Sequence, residues 1–318
     1  MKSVNGTILR LCGTSERDLF HFFDQADIDA INTAIATSRP LLVRGEPGIG
    51  KSQLARAAAI DLRRAYLTLV VNSHTEYSDL LWSVDTLNRL ATAQLLGALR
   101  EITLSPREVI KQELSLDRYV NPGPLWWAFN WESATAQAEK ANGNAPNIID
   151  GCDAGNGSVV LIDEIDKAEA RVPNGLLEAL GDGSFTPPGS RRPVVISGQP
   201  PLVIITTNED RPLSDAFIRR CVVLHKIYPA DEGQMIKYLV ERGKTHYESS
   251  AASDVLVKAA KMVIEDRRDA ERSRRFPLPG QAEYLDLLRA VLKWYPSDVD
   301  AQMTSLDQVR PFVLNKTS

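Results

Sequence analysis

Five short runs along the 318-residue chain are apolar almost throughout rather than at every second position: PLLVRG at 40–45, YLTLVV at 66–71, SVVLIDE at 158–164, PLVIITTN at 201–208 and CVVLHKI at 221–227. Continuous apolar runs of this length predict strands covered on both faces, which is how parallel sheets are buried. Between them the spacing turns helical, in ADIDAINTAIATS, KSQLARAAAIDLRRA and KAEARVPNGLLEALGD, so the pattern predicts a three-layer α/β domain. After Tyr228-Pro229 the strand pattern stops. ADEGQMIKYLVERGK, SDVLVKAAKMVIEDRRDAERSRR and GQAEYLDLLRAVLKWY are all helically spaced. The expected organisation is an α/β domain over 1–228 and a helical domain over 229–318, with an elaborated insertion at about 72–157.

The first run leads directly into GEPGIGKS, residues 45–52, and then into a helix-forming segment. Gly45, Gly48 and Gly50 let the backbone curl so that successive N–H groups, with those of Glu46, Pro47's neighbours and Ile49, face an anion at a helix N-terminus. The Gly-rich loop satisfies G-x-x-x-x-G-K-[ST], in which Lys51 reaches the β- and γ-phosphates, Ser52 ligates Mg²⁺ and Gln53 follows in the helix. A magnesium ion held by one hydroxyl is loosely organised, so the motif predicts a carboxylate at the end of a neighbouring strand. SVVLIDEID supplies Asp163 for the metal and Glu164 to polarise the attacking water. Alone, two acids at a strand end would read as solvated or capping residues. Asp166 is accounted for as an acid at a helix N-terminus. ITTN ends the fourth run in Asn208, whose amide both donates and accepts and can orient water without competing for the metal.

These segments, in this order, resemble the AAA+ ATPases: the loop GEPGIGKS, the acidic strand VVLIDEIDKA, the sensor strand IITTN, the arginine-bearing SDAFIRRC and a helical lid. Within that family ADIDAINTAIATSRPLLVRGEPGIGKSQLA, the NPGPLWWA element and GSFTPPGSRRPVVISGQPPLVIITTN, with a hairpin at about 183–201 ahead of the sensor strand, look most like the MoxR branch. The resemblance implies strand order 5-1-4-3-2, ATP and Mg²⁺ bound between the α/β domain and the lid, and a homo-oligomeric ring, commonly hexameric. It further implies hydrolysis at subunit interfaces that remodels a client protein, often one with a von Willebrand A domain or a metalloenzyme awaiting maturation. Some relatives serve in anti-phage systems. Where many family lids begin a helix with a sensor arginine, this chain has Gln281 and Ala282, leaving Arg275 just upstream as the nearest candidate.

Hydrolysis also wants a cation on the charge developing at the γ-phosphate, and the family places an arginine finger between the sensor strand and the fifth strand. Arg219 and Arg220 occupy that place. Arg220, immediately before Cys221, is the expected finger and Arg219 an interface partner or second finger.

Composition narrows the picture in three ways. A net charge of -4 argues against a generally basic, nucleic-acid-coating surface. Arg191 and Arg192 in GSRRP nevertheless leave room for a nucleic-acid motor of McrB type, or for a nucleotide-gated switch that recruits an effector. Cys12, Cys152 and Cys221 match no zinc spacing and read as small buried hydrophobes of a reducing compartment. No apolar stretch approaches ~20 residues, so no membrane span is expected and the location is cytoplasmic. Trp82, Trp126, Trp127 and Trp131 either fill a local core or form a docking surface.

Overall fold

The computed structural model describes residues 7–11, 19–99, 107–247 and 250–314; Cys12 and the first six residues lie outside them. In chain order the strands are β1 Ile8–Leu11, β2 Leu19–Phe22, β3 Leu41–Gly45, β4 Arg64–Val70, β5 Trp82–Val84, β6 Val120–Pro122, β7 Asp153–Asp163, β8 Ser184–Phe185, β9 Val194–Val195, β10 Leu202–Thr207 and β11 Val222–Lys226. The helices are α1 Gln25–Thr37, α2 Lys51–Leu62, α3 Tyr77–Leu81, α4 Thr86–Leu99, α5 Arg107–Glu113, α6 Pro124–Phe129, α7 Trp131–Lys140, α8 Arg171–Asp182, α9 Asp215–Ile218, α10 Glu232–Tyr247, α11 Ser253–Arg272, α12 Gln281–Trp294 and α13 Val299–Val313. All five predicted runs are strands of one parallel sheet in the order β11-β3-β10-β7-β4, which is 5-1-4-3-2. Two compact units divide the chain: one holds Ala30–Leu42 and Ala58–Val223, the other the described parts of Lys2–Asp29, Val43–Ala57 and Leu224–Ser318.

In the first unit, β7 is the organising strand. It begins at Asp153, five residues before the predicted run, and pairs with β10 from Leu202↔Val159 to Ile205↔Ile162 and with β4 as far as Val70↔Asp163. Every residue of β10 is buried, as a continuous apolar run demands, whereas the edge strand β4 exposes alternate residues towards its end and leaves Val70 58% exposed. An edge strand has one neighbour fewer, so its coverage is incomplete.

The insertion packs on this sheet through its aromatic residues. β5 and β6 pair antiparallel, α6 follows with Pro124 at its first turn, and Trp126 and Trp127 are buried beside Phe129 and Leu125. Trp82 stacks on Phe185 at 5.7 Å and Trp131 meets Trp127 edge-on at 5.0 Å. The four tryptophans therefore serve a local core rather than a surface. The expected hairpin is present as β8 and β9, and its turn leaves Arg191 and Arg192 exposed.

The second unit joins an N-terminal hairpin, β1 against β2, to α10–α13. Its apolar core comes mainly from Leu239, Val255, Leu256, Val263, Tyr284, Leu288 and Leu306. At its edge lies a buried charged group: Lys226 donates to both oxygens of Asp27 at 2.7 and 2.8 Å, and Arg242 donates to Asp24 at 2.6 and 2.8 Å while stacking over Tyr238 and Phe22.

Two histidines in this unit make stability depend on pH. Burial, reinforced by Lys226, Arg242 and His246, holds the His21 imidazole well below its ordinary range; burial and then Arg289 bring His246 down to about 4. Both stay neutral in the fold yet take up protons near pH 6.5 once unfolded, so the unfolded chain binds more protons and stability falls with acid. Stability is expected to be fully present above pH ~6.5 and to drop by about 2 kcal/mol between pH 7 and pH 5 from His246 alone. Urea unfolding at the two pH values checks this. A His246→Gln variant that keeps the full acid loss would contradict it.

Candidate functional site

The phosphate loop connects β3 to α2 within the second unit. Gly45, Gly48 and Gly50 take φ values of 148°, 79° and 92°, and a Cβ on Gly45 would stand 2.3 Å from the Lys226 carbonyl oxygen. A Cβ on Gly48 would stand 2.9 Å from that of Ala282. Side chains are thus excluded by backbone conformation and by space together. Pro47 and Gly48 are exposed, Glu46, Ser52 and Gln53 half-buried, and Ile49 is buried in the helical core. Lys51 opens α2, is 7% exposed, and donates through Nζ to the carbonyl oxygens of Gly45 at 2.7 Å and Glu46 at 2.9 Å. The loop is therefore a curled backbone with its ammonium folded across it.

Besides Ala282, two polar residues of the helical part meet this loop, and sequence reading assigned a role to neither. Arg267 of α11 grips the Glu46 carboxylate with both terminal nitrogens, Nη1 to Oε2 at 2.8 Å and Nη2 to Oε1 at 2.7 Å. Burial works against its charge, but the hydrogen bond to Glu46 and the charges of Glu46 and Glu271 outweigh that and raise its pKa. Gln281 opens α12; its backbone N–H donates to the Tyr228 hydroxyl at 2.9 Å and its Oε1 accepts from the Tyr238 hydroxyl at 2.8 Å. With Oε1 so engaged, the amide nitrogen is left 3.7 Å from where a Cβ on Gly50 would be. Arg275 is half-buried beyond the end of α11, where its backbone N–H donates to the Ala270 carbonyl. The arginine brought to the loop is Arg267.

The acidic residues belong to the first unit. β7 ends at Asp163, and Glu164 follows with φ 60° and ψ 47°, a left-handed conformation that turns the chain into the short 3-10 turn Ile165–Lys167. Thr206 of β10, 1% exposed, joins the two acids: its hydroxyl donates to Asp163 Oδ1 and accepts from the Glu164 N–H at 3.0 Å. Asn208, one residue past the end of β10, donates through Nδ2 to Glu164 Oε1 at 3.5 Å, the pairing expected if β7 and β10 are neighbours. Lys167 donates to the other oxygen, Oε2, at 2.5 Å, and that bond raises the lysine's pKa. Asp166 is buried and accepts from the Asp210 N–H at 3.0 Å, a turn-fixing role. Glu164 is thus held between an amide and an ammonium, with its backbone set by Thr206.

SDAFIRRC is anchored on both sides of its arginines. Ser214 caps α9 by accepting from the Phe217 N–H, Phe217 is fully buried, and the Cys221 thiol donates to the Phe217 carbonyl at 3.3 Å. Burial pushes that thiol up to about 12, with Arg39 pulling the other way, so it is an inert apolar anchor. Cys152, by contrast, is only half-buried. The helix ends at Ile218, and Arg219 and Arg220 are both exposed with no side-chain partner among the described residues. Two charges stand at the lip of the core because Phe217 and Cys221 fix the backbone from inside.

Residues 40–221, more than half of the chain, match the AAA domain of the dynein-related subfamily, and the protein belongs to that family. Membership carries ATPase activity as a general property. Among solved structures the chain is similar to a candidate ATPase from Cytophaga hutchinsonii, at 15% identity over 91% of this chain and 80% of that one, with a TM-score of 0.38. It is also similar to the RuvB Holliday junction branch migration motor of Thermotoga maritima, at 15% identity over 89% and 67%, with a TM-score of 0.43. A point mutant of the same RuvB aligns at 15% identity over 89% and 68%, with a TM-score of 0.44. No curated protein matches the chain. Among the described residues no helix is long and apolar enough to cross a membrane.

Proposed function

We propose that this AAA-family protein is a magnesium-dependent ATPase of MoxR type, which hydrolyses ATP at the subunit interfaces of a homo-oligomeric ring to remodel or activate a partner protein in the cytoplasm. The observation that carries the reading is the Thr206 and Asn208 framework around Asp163 and Glu164. It gives one carboxylate a rigid orientation and the other an amide that keeps its lone pairs directed. The loop suits a polyphosphate, since Gly45, Gly48 and Gly50 all take positive φ values that curl its backbone and Lys51 donates to carbonyl oxygens across it. Among the described residues no group of three or more His, Cys, Asp or Glu side chains could hold a metal. Ser52 and Asp163, the ligands that the sequence pattern points to, each offer oxygen, the donor type that suits magnesium. A magnesium ion held by these residues would supply neutralising charge to the nucleotide phosphates.

In this reading Lys51 and the loop amides hold the phosphates, and Glu164 accepts a proton from the attacking water. Asn208 keeps that carboxylate aimed, while Lys167 must release its other oxygen or act with it. Arg220, with Arg219 beside it, reaches the nucleotide of a neighbouring copy. Glu164→Gln protein is expected to bind ATP with little change and to turn over ~10²- to 10⁴-fold more slowly, whereas Lys51→Ala loses binding. Titration with a fluorescent ATP analogue and a phosphate-release assay separate the two. Unchanged turnover in Glu164→Gln would remove the base assignment, and pull-down with that stalled variant identifies the partner, including any von Willebrand A protein. The exposed Arg191 and Arg192 support a second reading, a nucleic-acid motor of McrB type. ATPase stimulation by DNA or RNA that vanishes with added salt would favour it.

A further inference from the structure

The guanidinium that touches the phosphate loop is held by an acid belonging to the loop itself. Glu46 is the second residue of GEPGIGKS, and its fork-to-fork pairing with Arg267 uses a geometry that a phosphate group satisfies equally well. The two partners are not equally fixed. Arg267 is only 15% exposed, lies over the Tyr228 ring at 5.1 Å, donates to the Pro279 carbonyl at 3.2 Å and has Glu271 at 3.4 Å from Nε. Glu46 is 41% exposed, and its carboxylate pairs with Arg267. The arginine is therefore the stationary partner and the glutamate the one free to swing away. The polar residue that α12 brings to the loop, Gln281, is held by two tyrosine hydroxyls and carries no charge.

We propose that Arg267 reads the outer phosphate of the bound nucleotide and that Glu46 competes with that phosphate for it, so that a loop carboxylate sets how strongly the protein discriminates ATP from ADP. The inference rests on the reading of GEPGIGKS as an ATP site. Both anions offer the guanidinium two oxygens in a plane, but a triphosphate brings more negative charge than a single carboxylate. A diphosphate lacks the outer group and leaves Arg267 on Glu46. The glutamate thereby lowers ATP affinity while leaving ADP affinity almost untouched.

Dissociation constants for ATP and ADP, measured in wild type, Arg267→Ala, Arg267→Lys, Glu46→Gln and Lys51→Ala with circular dichroism as the folding control, test this. Arg267→Ala is expected to weaken ATP by ~10- to 100-fold and ADP by less than ~3-fold, and Arg267→Lys to restore little, because an ammonium cannot make the fork. Glu46→Gln is expected to act in the opposite direction and tighten ATP by ~3- to 10-fold with ADP unchanged. A structural clamp predicts the same direction for both variants, or equal loss of both nucleotides, and either result overturns the proposal even if Arg267→Ala folds poorly. If wild type binds neither nucleotide better than Lys51→Ala, the ATP reading itself fails and takes this inference with it.

Discussion

Replacing Arg220 by alanine is expected to slow ATP turnover by ~10³- to 10⁵-fold while nucleotide affinity stays within about threefold. The basis is the division of labour in SDAFIRRC: Phe217 and Cys221 spend their contacts on the core, and the arginines between them have none to lose. An exposed guanidinium with no partner among the described residues stabilises nothing locally, so its removal should leave the melting curve unchanged. Subunit mixing gives the sharper measurement. In a ring assembled from Glu164→Gln and Arg220→Ala protein, some interfaces pair an intact Glu164 with an intact Arg220. Activity above the weighted average of the two parents is the expected result. Arg219→Ala separates the neighbours: wild-type turnover in Arg220→Ala with loss in Arg219→Ala would transfer the role to Arg219, and no loss in either would end the idea of a finger in this segment.

The largest effect on stability is expected at Lys226. Its ammonium is 8% exposed against an Asp27 carboxylate that is 2% exposed, and Lys226→Met leaves that acid buried without its cation. Breaking one side of such a pair costs about 3 to 5 kcal/mol, whereas replacing both partners by apolar residues can be close to neutral. Urea unfolding of Lys226→Met should show the loss, and Lys226→Met combined with Asp27→Leu should recover part of it. A single variant as stable as wild type would mean that Asp27 is neutralised by other neighbours, His21 at 4.0 Å and the Asp24 N–H at 3.3 Å being the candidates. Because the Lys226 carbonyl abuts Gly45, a loss of order here would also register as weaker nucleotide binding.

What could be read from sequence follows from how local the signal is. The five strands announced themselves because burial on both faces forces continuous apolar runs, and their order followed from the family resemblance carried by GEPGIGKS, VVLIDEIDKA and IITTN. Asn208 could be placed because one strand end predicts its neighbour. Thr206 escaped because a β-branched residue in a strand needs no further explanation, yet its hydroxyl is what fixes both acids. The N-terminal hairpin and α13 carried little pattern: β1 and β2 have four residues each, and α13 contains Pro311. Lys226 and Asp27 are 199 positions apart, so no spacing rule joins them. Arg267 did leave a trace. It follows Leu256, Ala260 and Val263 at the 4-3-4 spacing of the buried stripe of α11, and a charge on an apolar stripe asks for a partner.

Glu164 carries one more consequence. Its left-handed backbone, φ 60° and ψ 47°, is a conformation that a glycine adopts without steric penalty and that costs another residue on the order of 1 kcal/mol. Folding and chemistry therefore favour different residues at this position. A lineage selected only for heat resistance would have a downhill step from glutamate to glycine here, losing the carboxylate that Asn208 and Lys167 hold. Engineering this protein for durability thus has to exempt position 164 from the substitutions that stability alone recommends.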